Sequence, residues 1–201
     1  MSIYQKALGE QFYQLHPMLQ KRYLFLNQSS FQAKGTMKEV KTGSLLLKPL
    51  LHLGISRKLL FPEQGKNIQF QITNTPYLNE QGEEQIYWER VFDFENNQRF
   101  FNATMSWDSR SGIVKDYLGD PPIVYSDLHF QVKADQSLLI RSGKQRMIVG
   151  KQEISIPKWF QGIAEVEEKF QEDNDSYSIA VKVKNPLFGL IFSYEGEFKH
   201  E

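Results

Sequence analysis

There is no cysteine in the chain. This excludes disulfides, thiolate zinc sites, iron–sulfur clusters and a cysteine nucleophile. There is no net charge either: 24 Lys and Arg stand against 24 Asp and Glu. A general nucleic-acid binder needs a basic excess or stripe, so that class is disfavoured. No run approaches about 18 consecutive apolar residues, so nothing reads as a transmembrane helix. Met1 to Glu10 lacks a basic region followed by an apolar one, and does not read as a secretory signal. The expectation is a soluble cytoplasmic protein.

The usual catalytic and cofactor signatures are missing as well. The four histidines, His16, His52, His129 and His200, are nowhere spaced as His-Glu-x-x-His. Gly-x-Ser-x-Gly and Gly-x-Gly-x-x-Gly do not occur, and Gly65-Lys66 and Gly143-Lys144 lack the surroundings of a phosphate loop. The acidic run Glu172 to Asp175 lacks the calcium-loop pattern and reads as a solvated hairpin tip. No metal, no cofactor and no catalytic residue is assigned.

What is present suits one folded domain, 1–201. Its 201 residues can enclose a substantial core, and 40% apolar with 13% aromatic residues argue against disorder. The part up to residue 61 reads as mostly helical. Leu8, Phe12, Leu15, Leu19 and Leu26 recur at helical spacing, and Pro17 ends one helix near Gln14 and opens another. Gln28 to Ser30 reads as a loop. Phe31 to Thr42 alternates weakly as a strand, with Gly35 as a bulge. Ser44 to Gly54 reads as a leucine-rich helix with Pro49 inside its first turns, where a kink is expected.

From Lys66 the period becomes two. About nine strands are counted after residue 30, separated by turns that include 74–84 and Ser142-Gly143-Lys144. The fold class is therefore α+β and β-rich: a large curved antiparallel sheet or open β-barrel with N-terminal helices packed on it or plugging it.

The most informative strand is 86–94. Ile86, Trp88, Phe92 and Phe94 share one face, and Arg90 sits among them. A guanidinium on an apolar face needs a carboxylate, carbonyls or a bound anion. Glu168 shares parity with Ala164, Val166 and Phe170, which makes it the candidate partner. Two uses compete for Arg90: a core ion pair with Glu168, or a clamp for the anionic head of a ligand. In the second, Trp88, Met105 and Trp107 line the apolar part and Tyr194 completes the site. The leucine-rich segment 44–61 also has alternatives: core, a lid over a cavity, or a peripheral membrane contact through its leucines and Lys48, Arg57 and Lys58.

Several short motifs carry a family resemblance. They are Leu15-His16-Pro17, Trp88-Glu89-Arg90 with Phe92, Gly112 to Gly119, Ile156-Pro157, and Pro186 with Gly189 leading to Tyr194-Glu195-Gly196. On these the chain resembles the bacterial domain-of-unknown-function family number 4166, over nearly its whole length. The family pattern usually has a glutamate after the Gly112 turn, where this chain has Asp116. Some members look like C-terminal partners of dehydrogenase-like domains, but the resemblance implies no activity. The leading reading is a non-enzymatic domain that binds a small apolar or anionic amphiphile in the concave face of the sheet. The alternative is a structural or protein-interaction module with a filled core. An enzyme with dispersed acid–base residues comes third.

Overall fold

The structure, a computed structural model, describes residues 1–25, 29–150 and 152–201. Leu26 and Gln28 lie outside the described residues. Two short helices begin the chain, α1 (Ile3–Leu8) and α2 (Pro17–Leu24), joined by a 3-10 segment over Gly9–Gln14. Pro17 occupies the first turn of α2, where its missing N–H costs nothing. The strands are β1 (Phe31–Thr42), β2 (Gly65–Leu78), β3 (Glu84–Phe94), β4 (Asn97–Phe100), β5 (Ala103–Asp108) and β6 (Ile113–Gly119). They continue as β7 (Pro122–Val132), β8 (Leu138–Val149), β9 (Gln152–Ser155), β10 (Ile163–Gln171), β11 (Ser176–Asn185) and β12 (Gly189–His200). A third helix, α3 (Lys48–Ile55), separates β1 from β2.

Ten strands pair in the order β10-β11-β12-β1-β2-β3-β5-β6-β7-β8, all antiparallel, and β8 returns to β10. The sheet anticipated from the alternation is therefore a closed barrel, with β4 added to β3 and β9 to β8. Closure is narrow. Only 165–168 of β10 pair with 138–141 of β8. Beyond them side chains continue the seam: Ala164 N donates to Ser142 Oγ (2.7 Å), and Gln145 exchanges two bonds with the backbone of Gly162 (2.7 and 2.9 Å).

The two ends of the barrel are stopped differently. At one end Ile3 and Tyr4 of α1 and Leu19, Arg22 and Tyr23 of α2 are buried. Tyr4 stacks on Tyr23 at 4.1 Å. The Leu15-His16-Pro17 motif anchors this plug. His16 Nδ1 caps α2 by accepting from Met18 N, its backbone N–H donates to Gln136 O, and its ring stacks on Phe170. At the other end the chain from α3 runs through Phe61, which is fully buried against Phe92, Phe94 and Phe192. A burial of this size contributes roughly 1.5–3 kcal/mol.

Several local expectations are corrected. The turn placed at 74–84 shortens to 79–83, because β2 continues through Leu78 and pairs with the start of β3. Ser142-Gly143-Lys144 is no turn: β8 runs through it. Gly143 is needed there because a Cβ would lie 2.7 Å from the His129 ring. Pro49 sits in the first turn of α3, as expected, but the helix starts at Lys48, after a 3-10 segment over Leu45–Leu47, rather than at Ser44. The β1 bulge falls between Met37 and Glu39, not at Gly35. Gly35 is instead a point of contact between backbones, where a Cβ would lie 1.9 Å from Glu197 O on β12. Gly35→Ala is therefore expected to lower stability by about 1–3 kcal/mol through forced separation of β1 and β12. Urea unfolding measures it, and an unchanged midpoint would refute the close approach.

Candidate functional site

The inward face of β3 carries Ile86, Trp88, Arg90 and Phe92, all buried, as the alternation predicts. Arg90 makes no salt bridge among the described residues, and Glu168 is not its partner. Its Nε donates to Phe101 O (2.6 Å) and one terminal nitrogen to Tyr194 Oη (3.4 Å), with its guanidinium carbon 4.0 Å from the Phe101 ring centre. The Phe101 carbonyl, taken by Arg90, lies in the gap along β3 between its ladders to β4 and to β5. Asn102 bridges it: its Oδ1 accepts from the Arg90 backbone N–H (3.2 Å), and its Nδ2 donates to Tyr87 Oη (2.7 Å).

Glu168 is fully buried and pairs with Arg22 of α2. The Tyr23 hydroxyl donates to the same carboxylate oxygen, and Arg22 also reaches Asn74 Oδ1 (3.3 Å). Phe31 and Phe198 pack on the guanidinium at 4.6 and 5.0 Å. Burial opposes the Arg22 charge, but Glu168 and the surrounding tyrosines outweigh it and raise its pKa. Burial and then the Glu168 charge hold the Tyr4 and Tyr23 hydroxyls well above their ordinary range.

The partner of Glu168 escaped the sequence reading, although a signal existed. Arg22 follows Leu15 by seven residues and Leu19 by three, so it lies on the apolar face of its helix. Parity would likewise have marked Asp116, which lies on β6 between the inward-facing Val114 and Leu118.

Between these groups lies a cavity of about 80 Å³. Trp88, Arg90, Met105 and Glu168 line it, together with Asp116. Trp107 does not: it is partly exposed and packs at the edge of the core. Tyr194 does not line it either: it is buried, and its hydroxyl accepts from Arg90. The rest of the wall is mostly apolar, including Leu118, Leu128, Val166 and Val181, with Leu59, Leu60 and Gly162 towards the end covered by α3 and Ser126, Ser142 and Gln145 as its polar members.

Three buried polar atoms of the lining residues have no hydrogen-bond partner in the structure: Trp88 Nε1, Asp116 Oδ1 and Glu168 Oε1. Burial pushes the Asp116 carboxyl up to about 6, with Arg90 pulling it partly back. Among the described residues no three His, Asp or Glu side chains gather as a metal cluster. No described helix is long and apolar enough to cross a membrane.

Fold and site together define a closed antiparallel β-barrel, plugged by helices at one end and charged within. The chain belongs to the family described as Domain of unknown function (DUF4166), whose model matches residues 15–198. The matched span takes in α2 with Arg22 and every strand but the last two residues of β12, and omits α1. The chain is also similar to the uncharacterised Bacillus subtilis (strain 168) protein YndH. Identity is 39% over 200 residues, covering 100% of this chain and 97% of that protein.

Two outcomes follow from the buried charges. Arg22→Met alone strands the Glu168 carboxylate and is expected to cost about 3–5 kcal/mol, whereas Arg22→Met with Glu168→Leu recovers most of it. Chemical denaturation of Arg22→Met, Glu168→Leu and the double variant gives the coupling, and additive losses would refute the pair. For Asp116 the folded pKa, about 6, lies above the ordinary 3.8. Folding therefore favours the protonated form: no cost falls on the fold below about pH 4, and a cost grows between pH 4 and 6 and persists above. Asp116→Asn is expected to stabilise the protein at pH 7.5 by up to about 3 kcal/mol and to leave it unchanged near pH 4. Equal effects at both pH values would show that the carboxyl is not destabilised by burial.

Proposed function

We propose that the barrel is a binding module for a small amphiphilic molecule with a polar, preferably anionic, head. The head meets Arg90 and Asp116, and the short apolar part lies along Leu118, Leu128, Val166 and Val181 towards Leu59 and Leu60. The observation that carries this reading is the set of three unpartnered polar atoms around one cavity. Buried polar groups are nearly always satisfied, so a donor and two acceptors left over together favour an occupant. Arg90 supplies attraction for an anion because no carboxylate among the described residues is bonded to it. Asp116, protonated below about pH 6, supplies a donor beside it.

The size of the cavity favours a second reading, a structural module with a hydrated core. Ligand pockets usually measure roughly 300–1,000 Å³. About 80 Å³ accommodates roughly three waters, which could satisfy the same atoms. An occupant longer than a few carbons must displace the partly exposed Leu59 and Leu60.

Calorimetric titration with hexanoate, hexanol and hexylamine separates the readings. The binding module takes up hexanoate best, and Arg90→Met weakens it at least tenfold. A hydrated structural core takes up none of the three. Equal hexanoate binding by wild type and Arg90→Met would remove Arg90 from the site.

A further inference from the structure

At the end of the barrel away from α1 and α2, three neighbouring segments form an apolar rim that holds no acid, beside Glu63, Glu95 and Asp120 on that end's other connections. Segment 44–61 joins β1 to β2, 156–163 leads into β10, and 184–191 turns from β11 into β12. Strand pairing brings the three to one end: Thr42 pairs with Phe192, Ile163 with Lys184 and Asn185 with Gly189. Asn185 ties two of them together. Its Nδ2 donates to Trp159 O (2.7 Å) and Gln161 O (2.9 Å), and its Oδ1 accepts from Leu187 N and Phe188 N. Gly43 N donates to Ile191 O (2.9 Å), which places the start of the leucine-rich segment beside them.

Eight large apolar residues of this rim, Leu46, Leu50, Leu53, Trp159, Phe160, Ile163, Leu187 and Phe188, are between 40% and 79% exposed. Along α3 and the turn before it the leucines divide: Leu47 and Leu51 face the core, while Leu46, Leu50 and Leu53 form an outer stripe at helical spacing. Charge is sorted in the same place. The three segments hold Lys48, Arg57, Lys58, Lys158 and Lys184 and neither Asp nor Glu, in a chain with equal numbers of both signs. Lys58 pairs with Asp120. Lys48, Arg57, Lys158 and Lys184 are exposed and form no salt bridge among the described residues. The turns at the opposite end carry Glu80, Glu83, Asp135, Glu172, Asp173 and Asp175.

We infer that this rim docks the barrel onto an anionic lipid bilayer. Tryptophan, phenylalanine and leucine on turn tips and a short helix suit the boundary between headgroups and acyl chains, and unpaired lysine and arginine beside them suit acidic headgroups. A second copy meeting rim to rim would bring like charges together. The acidic opposite end orients the molecule rim-first in the field of such a surface. The inference rests on surface residues alone and does not depend on what the cavity holds.

The test is sedimentation of the full chain with vesicles of phosphatidylcholine alone, or with about one-third phosphatidylglycerol. The chain is expected to pellet with the anionic vesicles, and Trp159 emission to shift to the blue. Trp159→Phe should keep the binding and lose the shift. Lys48→Glu with Lys158→Glu should weaken binding by more than tenfold, since each basic residue near such a surface is worth roughly fivefold. Leu50→Ser with Trp159→Ser should weaken it comparably, with thermal unfolding of both variants unchanged because every altered side chain is exposed. Absence of pelleting, equal pelleting with neutral vesicles, or indifference to the charge reversal would overturn the proposal. So would concentration-dependent self-association abolished by the same substitutions without any lipid binding.

Discussion

A barrel of ten strands encloses more space than its own inward side chains fill, because about eight already give an interior that side chains just occupy. This constraint governs the rest of the molecule. The interior has to be stopped from its ends, and the chain supplies a plug at each. α1 and α2 deliver Ile3, Tyr4, Leu19, Arg22 and Tyr23 to one side, and the segment after α3 delivers Phe61 to the other. The cavity of about 80 Å³ is what the two plugs leave between them.

A plug made of short helices needs fastening. α1 has six residues and α2 eight, too short to be stable alone. Apolar contact would hold them without fixing their depth. The Arg22–Glu168 pair fixes it, since a buried carboxylate tolerates little displacement of its partner. It joins residues 146 positions apart and draws in Tyr23 and Asn74, so helix, β2 and β10 share one network. Arg90 is satisfied in another way, by a carbonyl and a phenol, and the gap in the ladder beside it is bridged by Asn102. The interior thus contains two cations and two carboxylates, but only one direct pair. The remaining cation and carboxyl, Arg90 and Asp116, both face the cavity.

Alternation revealed the strands well, because burial of one face imposes a period of two wherever a strand lines the barrel. It placed Ile86, Trp88, Arg90 and Phe92 on one inner face and marked Glu168 as inward. Pro17 announced the start of α2. Parity assigns a face, however, and not a partner. Arg90 and Glu168 were paired because both point inward, yet the ladder sets them apart and a helix brings Arg22 between the strands instead. That contact depends on how the plug enters, which no local period encodes. The reading of Ser142-Gly143-Lys144 as a turn failed for a related reason. A glycine inside a strand gives the same local signal as a turn glycine, and its cause, the His129 ring on β7, is a contact between strands. The leucine-rich segment was ambiguous in sequence because it serves two environments: Leu47 and Leu51 belong to the core, and Leu46, Leu50 and Leu53 do not.

The narrow seam between β8 and β10 bears on how such a barrel could admit anything. Most other ladders of the barrel are longer, with nine residue pairs between β10 and β11; β3–β5 is as short, but there β4 continues the pairing along β3. The β8–β10 junction has four. Past them it depends on Ser142 and Gln145, whose side chains replace a backbone ladder with bonds to Ala164 and Gly162. Side-chain bonds of this kind contribute only about 0.5–1.5 kcal/mol each and can exchange for water without unravelling a strand. Ser142, Gln145, Gly162 and Ala164 also belong to the cavity wall. The short seam thus borders the same cavity as Arg90 and Asp116, and its side-chain-bonded part lies at the end where the apolar rim stands.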